Sequence, residues 1–152
     1  IIGTAVRKQA NQDAADSSNP LGRVLKVGKD NFDKDIDTLE LKLAEAIMAE
    51  RPAIDSGIGF IKIISVIAPL AGLLGTVTGM IVTFQMITLY GTGDPKLMAG
   101  GISQALVTTV LGLLVAIPTS LLHSFTQSSA RGIISILEEQ STGILAERAE
   151  SK

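Results

Sequence analysis

The sequence predicts an all-α integral membrane protein whose long transmembrane helices extend into the cytoplasm. Two runs carry that prediction, residues 63–93 and 97–122, neither of which holds an Asp, Glu, Lys, Arg or His. Each is longer than the about 20 helical residues that cross a hydrocarbon core about 30 Å thick. The third observation is what separates them: LYGTGDPKLMAGG, with Asp94-Pro95 and clustered glycines, is a turn signal, so the two runs form a helical hairpin through a bilayer. Composition agrees, with 18% charged residues, a positive mean hydropathy and only 3% aromatics, so the apolar content is aliphatic.

The first 35 residues, rich in Asn, Asp, Ser and Lys, read as a weakly ordered or loosely packed segment. Within it and just beyond, Asp30, Asp33, Asp35 and Asp37 alternate with lysines as a solvated surface. Asp37 with Glu40 three residues on makes a capping box, and LELKLAEAIMAE behind it is a strong helix former with Leu39, Leu43 and Ile47 on one face. This helix is expected over about 38–50 and to end at Pro52. Residues 1–62 thus form a cytoplasmic segment, 63–90 the first span, 91–99 a short periplasmic turn, 100–123 the second span, and 124–152 a cytoplasmic helical extension. In that extension Leu122, Phe125, Ser129, Ile133, Ile136, Gln140 and Ile144 recur at helical spacing and imply a packed partner.

Orientation follows from the basic residues. Nine Lys and Arg precede residue 63, one (Lys96) lies in the hairpin turn, and three follow residue 122, which places both ends in the cytoplasm. Phe60, Tyr90 and Phe125 sit at the expected headgroup levels, and Lys62 can snorkel to the nearer one. No signal peptide is recognisable and the first residue is Ile1 rather than methionine, so the chain reads as a fragment.

The segment GLLGTVTG, residues 72–79, has the look of a phosphate-binding loop. No lysine follows it, and it lies in the middle of a charge-free run, so a nucleotide is not its ligand. Its glycines and threonines belong to a stripe instead. Ser65, Pro69, Gly72, Thr76, Gly79 and Thr83 step by three and four along one face of the first span. Gly101, Ala105, Thr109, Gly112, Ala116 and Thr119 do the same on the second, ending at His123. One reading is close helix packing, since Gly75 and Gly79 form a GxxxG pair and small residues let backbones approach. The other is a pore or partner-facing wall, on which the hydroxyls of Thr76 and Thr109, with Gln104 and Thr108, are the hydrogen-bonding groups at mid-depth. Pro69 and Pro118 kink their helices or seed the packing of neighbours. His123 reads as a headgroup or interhelix contact ahead of a proton relay, and Asp94 as a turn residue.

Several function classes are excluded. Without cysteine there is no disulfide framework, thiolate metal site or thiol redox chemistry, and a net charge of −2 offers no basic surface for nucleic acid. One histidine and no acid in either span do not make a catalytic constellation, so no enzyme, cofactor or metal is expected.

APLAGLLGTVTGMIVTF (68–84) and GGISQALVTTVLGLLVAIP (100–118) closely resemble the two signature transmembrane helices of the ExbB, TolQ and MotA family of proton-channel motor proteins. The resemblance covers about residues 38–150, and within the family LELKLAEAIMAERPAI and GTGDPKLMAGGISQALVTT look most like the branch of ExbB and its longer relative TtpC. It implies a pentamer of such subunits in the bacterial inner membrane, around a dimer of single-span ExbD-type helices, with proton flow driving movement that a TonB-type protein relays to outer-membrane transport. TolQ-type and flagellar-stator-type motors, and a passive membrane scaffold, are the alternatives. Family members have three spans, so one span and the N-terminal part are absent from this chain. The resemblance implies that Thr76 and Thr109 face the pore near the partner's aspartate; Gln104 and Thr83 join them as candidate proton-pathway residues from the polar stripe, and Gly72, Gly75, Gly79, Gly112, Pro69 and Pro118 are the candidate helix-packing residues. Many relatives carry glutamate where this chain has Gln104.

Overall fold

A computed structural model describes Val6 and residues 17–91 and 95–151, except the side chain of Leu97. Thr92, Gly93 and Asp94 of the hairpin turn lie outside the described residues, as do most of the first 16. The described residues form four helices: α1 (Pro20–Asp30), α2 (Ile36–Ile54), α3 (Ile58–Tyr90) and α4 (Pro95–Glu150). They fall into two compact units, residues 1–56 with 126–152, and residues 57–125.

In the first of these units α1 corrects the expectation of a loosely packed N-terminal segment over Pro20–Asp30; of its first 16 residues only Val6 is among those described. The Asn19 side chain accepts from the Gly22 amide at 2.9 Å, and Pro20 supplies a preset backbone angle at the first helical position. Leu21, Val24 and Gly28 then recur on one face and are buried. At the other end the Asn31 amide donates to the Val27 carbonyl at 2.8 Å. Mean composition hides an 11-residue amphipathic helix of this kind, because its polar face outweighs three buried side chains.

The capping of α2 also differs from expectation. The cap is Asp35, whose carboxylate accepts from the Thr38 amide at 2.9 Å, while Asp37 lies in the first turn beside the helix dipole. Pro52 does not end the helix, which continues to Ile54. Pro52 lacks the amide that would donate to the Met48 carbonyl four residues back and sets its ring against that carbonyl, and the helix accommodates both at Met48, which is 70% exposed. Gly57, at φ +80°, makes the break before α3 that a side chain would resist.

Leu39, Leu43 and Ile47 of α2 are buried, as are Ala130, Ile133, Leu137 and Ser141 of α4. The buried stripe of the α4 extension therefore runs through Ala130 and Leu137 rather than Ser129 and Ile136, a rotation of one residue that keeps Ile133 in common. Gly28 marks the tightest point. A Cβ there would lie 2.7 Å from Ile144 Cδ1 and 3.3 Å from Leu43 Cδ2, so its bare Cα lets three helices meet. Around this apolar centre Arg23 grips both carboxylate oxygens of Glu50 at 2.6 Å, and that hydrogen-bonded pairing raises the guanidinium pKa further. Arg51 reaches Glu138 at 3.5 Å, and Arg148 lies over the Phe32 ring while donating to the Lys34 carbonyl.

Ser141 is the exception to this complementarity. It is 5% exposed and its hydroxyl has no hydrogen-bond partner among the described residues. A buried unpaired hydroxyl costs about 1–3 kcal/mol. Ser141→Ala is therefore expected to raise the stability of the full-length protein by about 1 kcal/mol, measured as a higher unfolding temperature of the helical circular dichroism signal in detergent. A lower temperature would mean that the hydroxyl is satisfied.

The second unit is an antiparallel pair, α3 and the α4 residues up to 125. Along the contact Thr83 meets Gly101, Gly79 meets Ala105, Gly75 meets Thr108, and Gly72 meets Gly112. One number falls as the other rises, as a hairpin requires. Gly91 ends α3 at φ +75°, with its amide on the Ile87 carbonyl at 2.9 Å.

Candidate functional site

The predicted stripes of small residues are the surfaces through which α3 and α4 touch each other. A Cβ on Gly112 would stand 2.8 Å from the Ala68 carbonyl oxygen and 2.9 Å from Gly72 Cα, so backbone meets backbone at that crossing. A Cβ on Gly79 would stand 2.7 Å from that of Ala105. GLLGTVTG lies wholly inside α3, where its glycines serve interhelix contact. Pro69 and Pro118 lie inside helices that continue on both sides of them.

Close approach brings the threonines together. Thr76 and Thr109 hydrogen-bond to each other through their hydroxyls across the helix pair. Thr76 Oγ1 also lies 3.2 Å from the Gly72 carbonyl and 3.3 Å from that of Ala105, and Thr109 Oγ1 lies 3.4 Å from Gly72 O. Thr108 Oγ1 donates to Ala105 O at 2.6 Å and lies 3.4 Å from Gly72 O. Three hydroxyls and two carbonyls thus make one polar node within two apolar helices. Four other threonines of these helices satisfy their hydroxyls within their own turn: Thr78 on Leu74 O at 2.7 Å, Thr83 on Gly79 O at 2.9 Å, Thr88 on Phe84 O at 2.9 Å and Thr119 on Val115 O at 2.7 Å. The node differs because the Thr76–Thr109 bond and the contacts from Thr76 to Ala105 O and from Thr108 and Thr109 to Gly72 O cross between helices.

Gln104 and Thr83 are placed apart from that pair. Both line a groove of about 610 Å³ whose walls also include Thr78, Met86, Tyr90 and Thr108. Gln104 is exposed, while Thr83 is buried in the space that Gly101 leaves open. Of the four residues read from the sequence as a proton pathway, two therefore share a hydrogen bond and two share a groove. Thr108 belongs to both; the sequence placed its hydroxyl at mid-depth directly before Thr109, and the structure shows that it faces Gly75.

Outside the contact, these helices bear exposed Leu70, Leu73, Val77, Ile81, Leu106, Val110, Leu114 and Ile117. The most apolar stretch of each helix is only 11% buried by its own chain. A core helix of a water-soluble protein would be covered; these are transmembrane helices, and the protein is a membrane protein with a polar node built into its helix hairpin. It belongs to the MotA/TolQ/ExbB proton channel family, which residues 16–139 match. It is 34% identical over 121 residues to an ExbB homolog of Methanothermobacter thermautotrophicus named as a biopolymer transport protein, covering 77% of this chain and 41% of that protein. The biopolymer transport protein ExbB of Pseudomonas putida is 32% identical over 104 residues, with 68% of this chain and 32% of the relative covered. That of Aquifex aeolicus reaches 47% identity over 58 residues, covering 38% and 39%. The chain spans less than half the length of these curated relatives.

Proposed function

We propose that this chain is the channel subunit of an ExbB-type motor in the bacterial inner membrane. Five such subunits form a ring with both ends of this segment in the cytoplasm, enclosing an ExbD-type single-span partner. Proton flow through the assembly does mechanical work on a TonB-type protein. The observation that carries this reading is the Thr76–Thr109 hydroxyl pair, set in two runs, 63–93 and 97–122, that hold no Asp, Glu, Lys, Arg or His. A proton crossing a membrane is held and released part-way by an ionisable side chain, and such groups mark ion pathways. The two charge-free runs hold no carboxylate, so it comes from another chain, and hydroxyls, which both donate and accept, suit either of its protonation states. Kinship with ExbB-named proteins supports the branch.

A passive scaffold is favoured by one fact, that the small-residue stripe is already occupied by contact within the chain. Vesicles separate the two. Full-length protein reconstituted with an ExbD-type partner is expected to pass protons under an imposed gradient, and protein without the partner to stay tight. Equal flux without the partner would refute a carboxylate supplied in trans. Tight vesicles from an assembled complex would leave the scaffold.

A further inference from the structure

We infer that Thr108 is a positioning residue that keeps the Thr76 proton inside the Thr76–Thr109 pair, by filling the remaining lone pair of the Ala105 carbonyl. The inference rests on the role proposed for that pair and adds a residue that acts through it.

A carbonyl oxygen has two lone pairs. In mid-helix the Ala105 oxygen accepts one backbone amide, from the residue four positions on. Two side chains compete for the second position: Thr108 Oγ1 at 2.6 Å, from the same helix, and Thr76 Oγ1 at 3.3 Å, from the opposite one. Thr108 is the nearer by 0.7 Å (3.3 against 2.6) and takes it. The Thr76 proton is then left with Thr109 Oγ1 or the Gly72 carbonyl. Both belong to a closed triangle, Thr76, Thr109 and Gly72 O, in which two protons serve three edges. Either hydroxyl can donate to the other, so the pair can reverse its polarity without moving a heavy atom. That reversal is what a group alternating between acceptor and donor needs from its neighbours.

The packing holds Thr108 in place. Gly75 presents a bare Cα to it, and a Cβ there would lie 2.6 Å from Thr108 Oγ1 and 2.7 Å from Thr108 Cβ. The side chain therefore sits in the notch that Gly75 leaves, and its hydroxyl is turned along its own helix to Ala105. Without that hydroxyl the Ala105 oxygen would be under-satisfied in an apolar setting. The Thr76 proton would move to it and abandon Thr109, because an open acceptor in such a setting is costly.

The sequence supplies a direct probe. Ala-Leu occurs once in the chain, at 105–106, so full-length protein labelled with carbonyl-¹³C alanine and ¹⁵N leucine shows the Ala105 carbonyl alone in a carbonyl–amide solid-state NMR spectrum in lipid. Thr108→Val keeps the shape that fills the Gly75 notch and removes the hydroxyl. The Ala105 signal is expected to stay near its wild-type position in Thr108→Val, where Thr76 takes over, and in Thr76→Val, where Thr108 remains. It is expected to move upfield only in the double variant. A full upfield shift in Thr108→Val alone would show that Thr76 does not turn, and would overturn the inference. Uptake by cells dependent on the protein should fall about fivefold in Thr108→Val, recover in Thr108→Ser, and fall no further when Thr108→Val is added to Thr76→Val. A merely structural Thr108 would instead give additive losses, which would also overturn it. Should Thr76→Val leave uptake intact, the proposed function fails, while the carbonyl shifts still decide the hydrogen-bond relation.

Discussion

Gly112→Ala is expected to lower the stability of the α3–α4 hairpin by about 1–3 kcal/mol, the cost of forcing one methyl group into a filled interface. The new Cβ would meet the Ala68 carbonyl oxygen at 2.8 Å and Gly72 Cα at 2.9 Å, and both are backbone atoms that no rotamer change can move aside. The helices must separate, and the contact at Gly72–Gly112 lies next to the threonine node, so its hydrogen bonds lengthen together. Gly112→Leu should abolish the native pairing. Gly143→Ala is the matched control: its Cβ meets nothing within 4 Å, and replacing a mid-helix glycine should stabilise by about 0.5–1 kcal/mol. Reversible unfolding of the full-length protein in mixed lipid–detergent micelles measures all three. A Gly112→Ala variant as stable as Gly143→Ala would mean that α3 and α4 do not meet backbone to backbone.

Under the proposed motor function, Thr76→Val with Thr109→Val is expected to abolish TonB-dependent uptake while leaving the proposed oligomer intact. Valine keeps the branched shape of threonine, so packing against Gly72 and Ala105 is nearly preserved and the hydroxyls alone are lost. Hydrogen bonds to a charged group are worth about 1.5–3 kcal/mol, so each single variant should lose about tenfold or more if its hydroxyl serves a partner carboxylate. The double variant should be worst, and serine at either position, which restores donor and acceptor, should be mild. Uptake in cells, beside the size of the purified oligomer, reads both. Full uptake by the double valine variant would remove the threonine pair from the mechanism.

How far the site could be read from the chain depended on the kind of information each residue carries. That Thr76 and Thr109 each lie on a stripe of small residues, between Gly72 and Gly79 and between Ala105 and Gly112, followed from helical spacing alone. That they bond to each other did not, since spacing gives the direction of a side chain on its own helix and says nothing of what stands opposite. The same limit explains the α4 extension, where Ser129 and Ile136 match helical spacing as well as Ala130 and Leu137 do, and only burial in the folded unit selects the second set. Helix α1 was missed for another reason: a proline after an asparagine cap was outweighed by the polar composition around it.

The sequence by itself determined the membrane class, the hairpin and the family, because these rest on properties summed along the chain: loss of charge over a membrane thickness, a glycine-rich turn, and motifs in fixed order. The tertiary structure decided how the small residues are used. Gly72 and Gly112 bring two backbones of one chain together, Thr108 fills the notch at Gly75, and the hydroxyls of Thr76 and Thr109 meet. Those outcomes depend on the register between two helices, and register is set by the simultaneous fit of many side chains across a contact, which no single stretch of sequence contains.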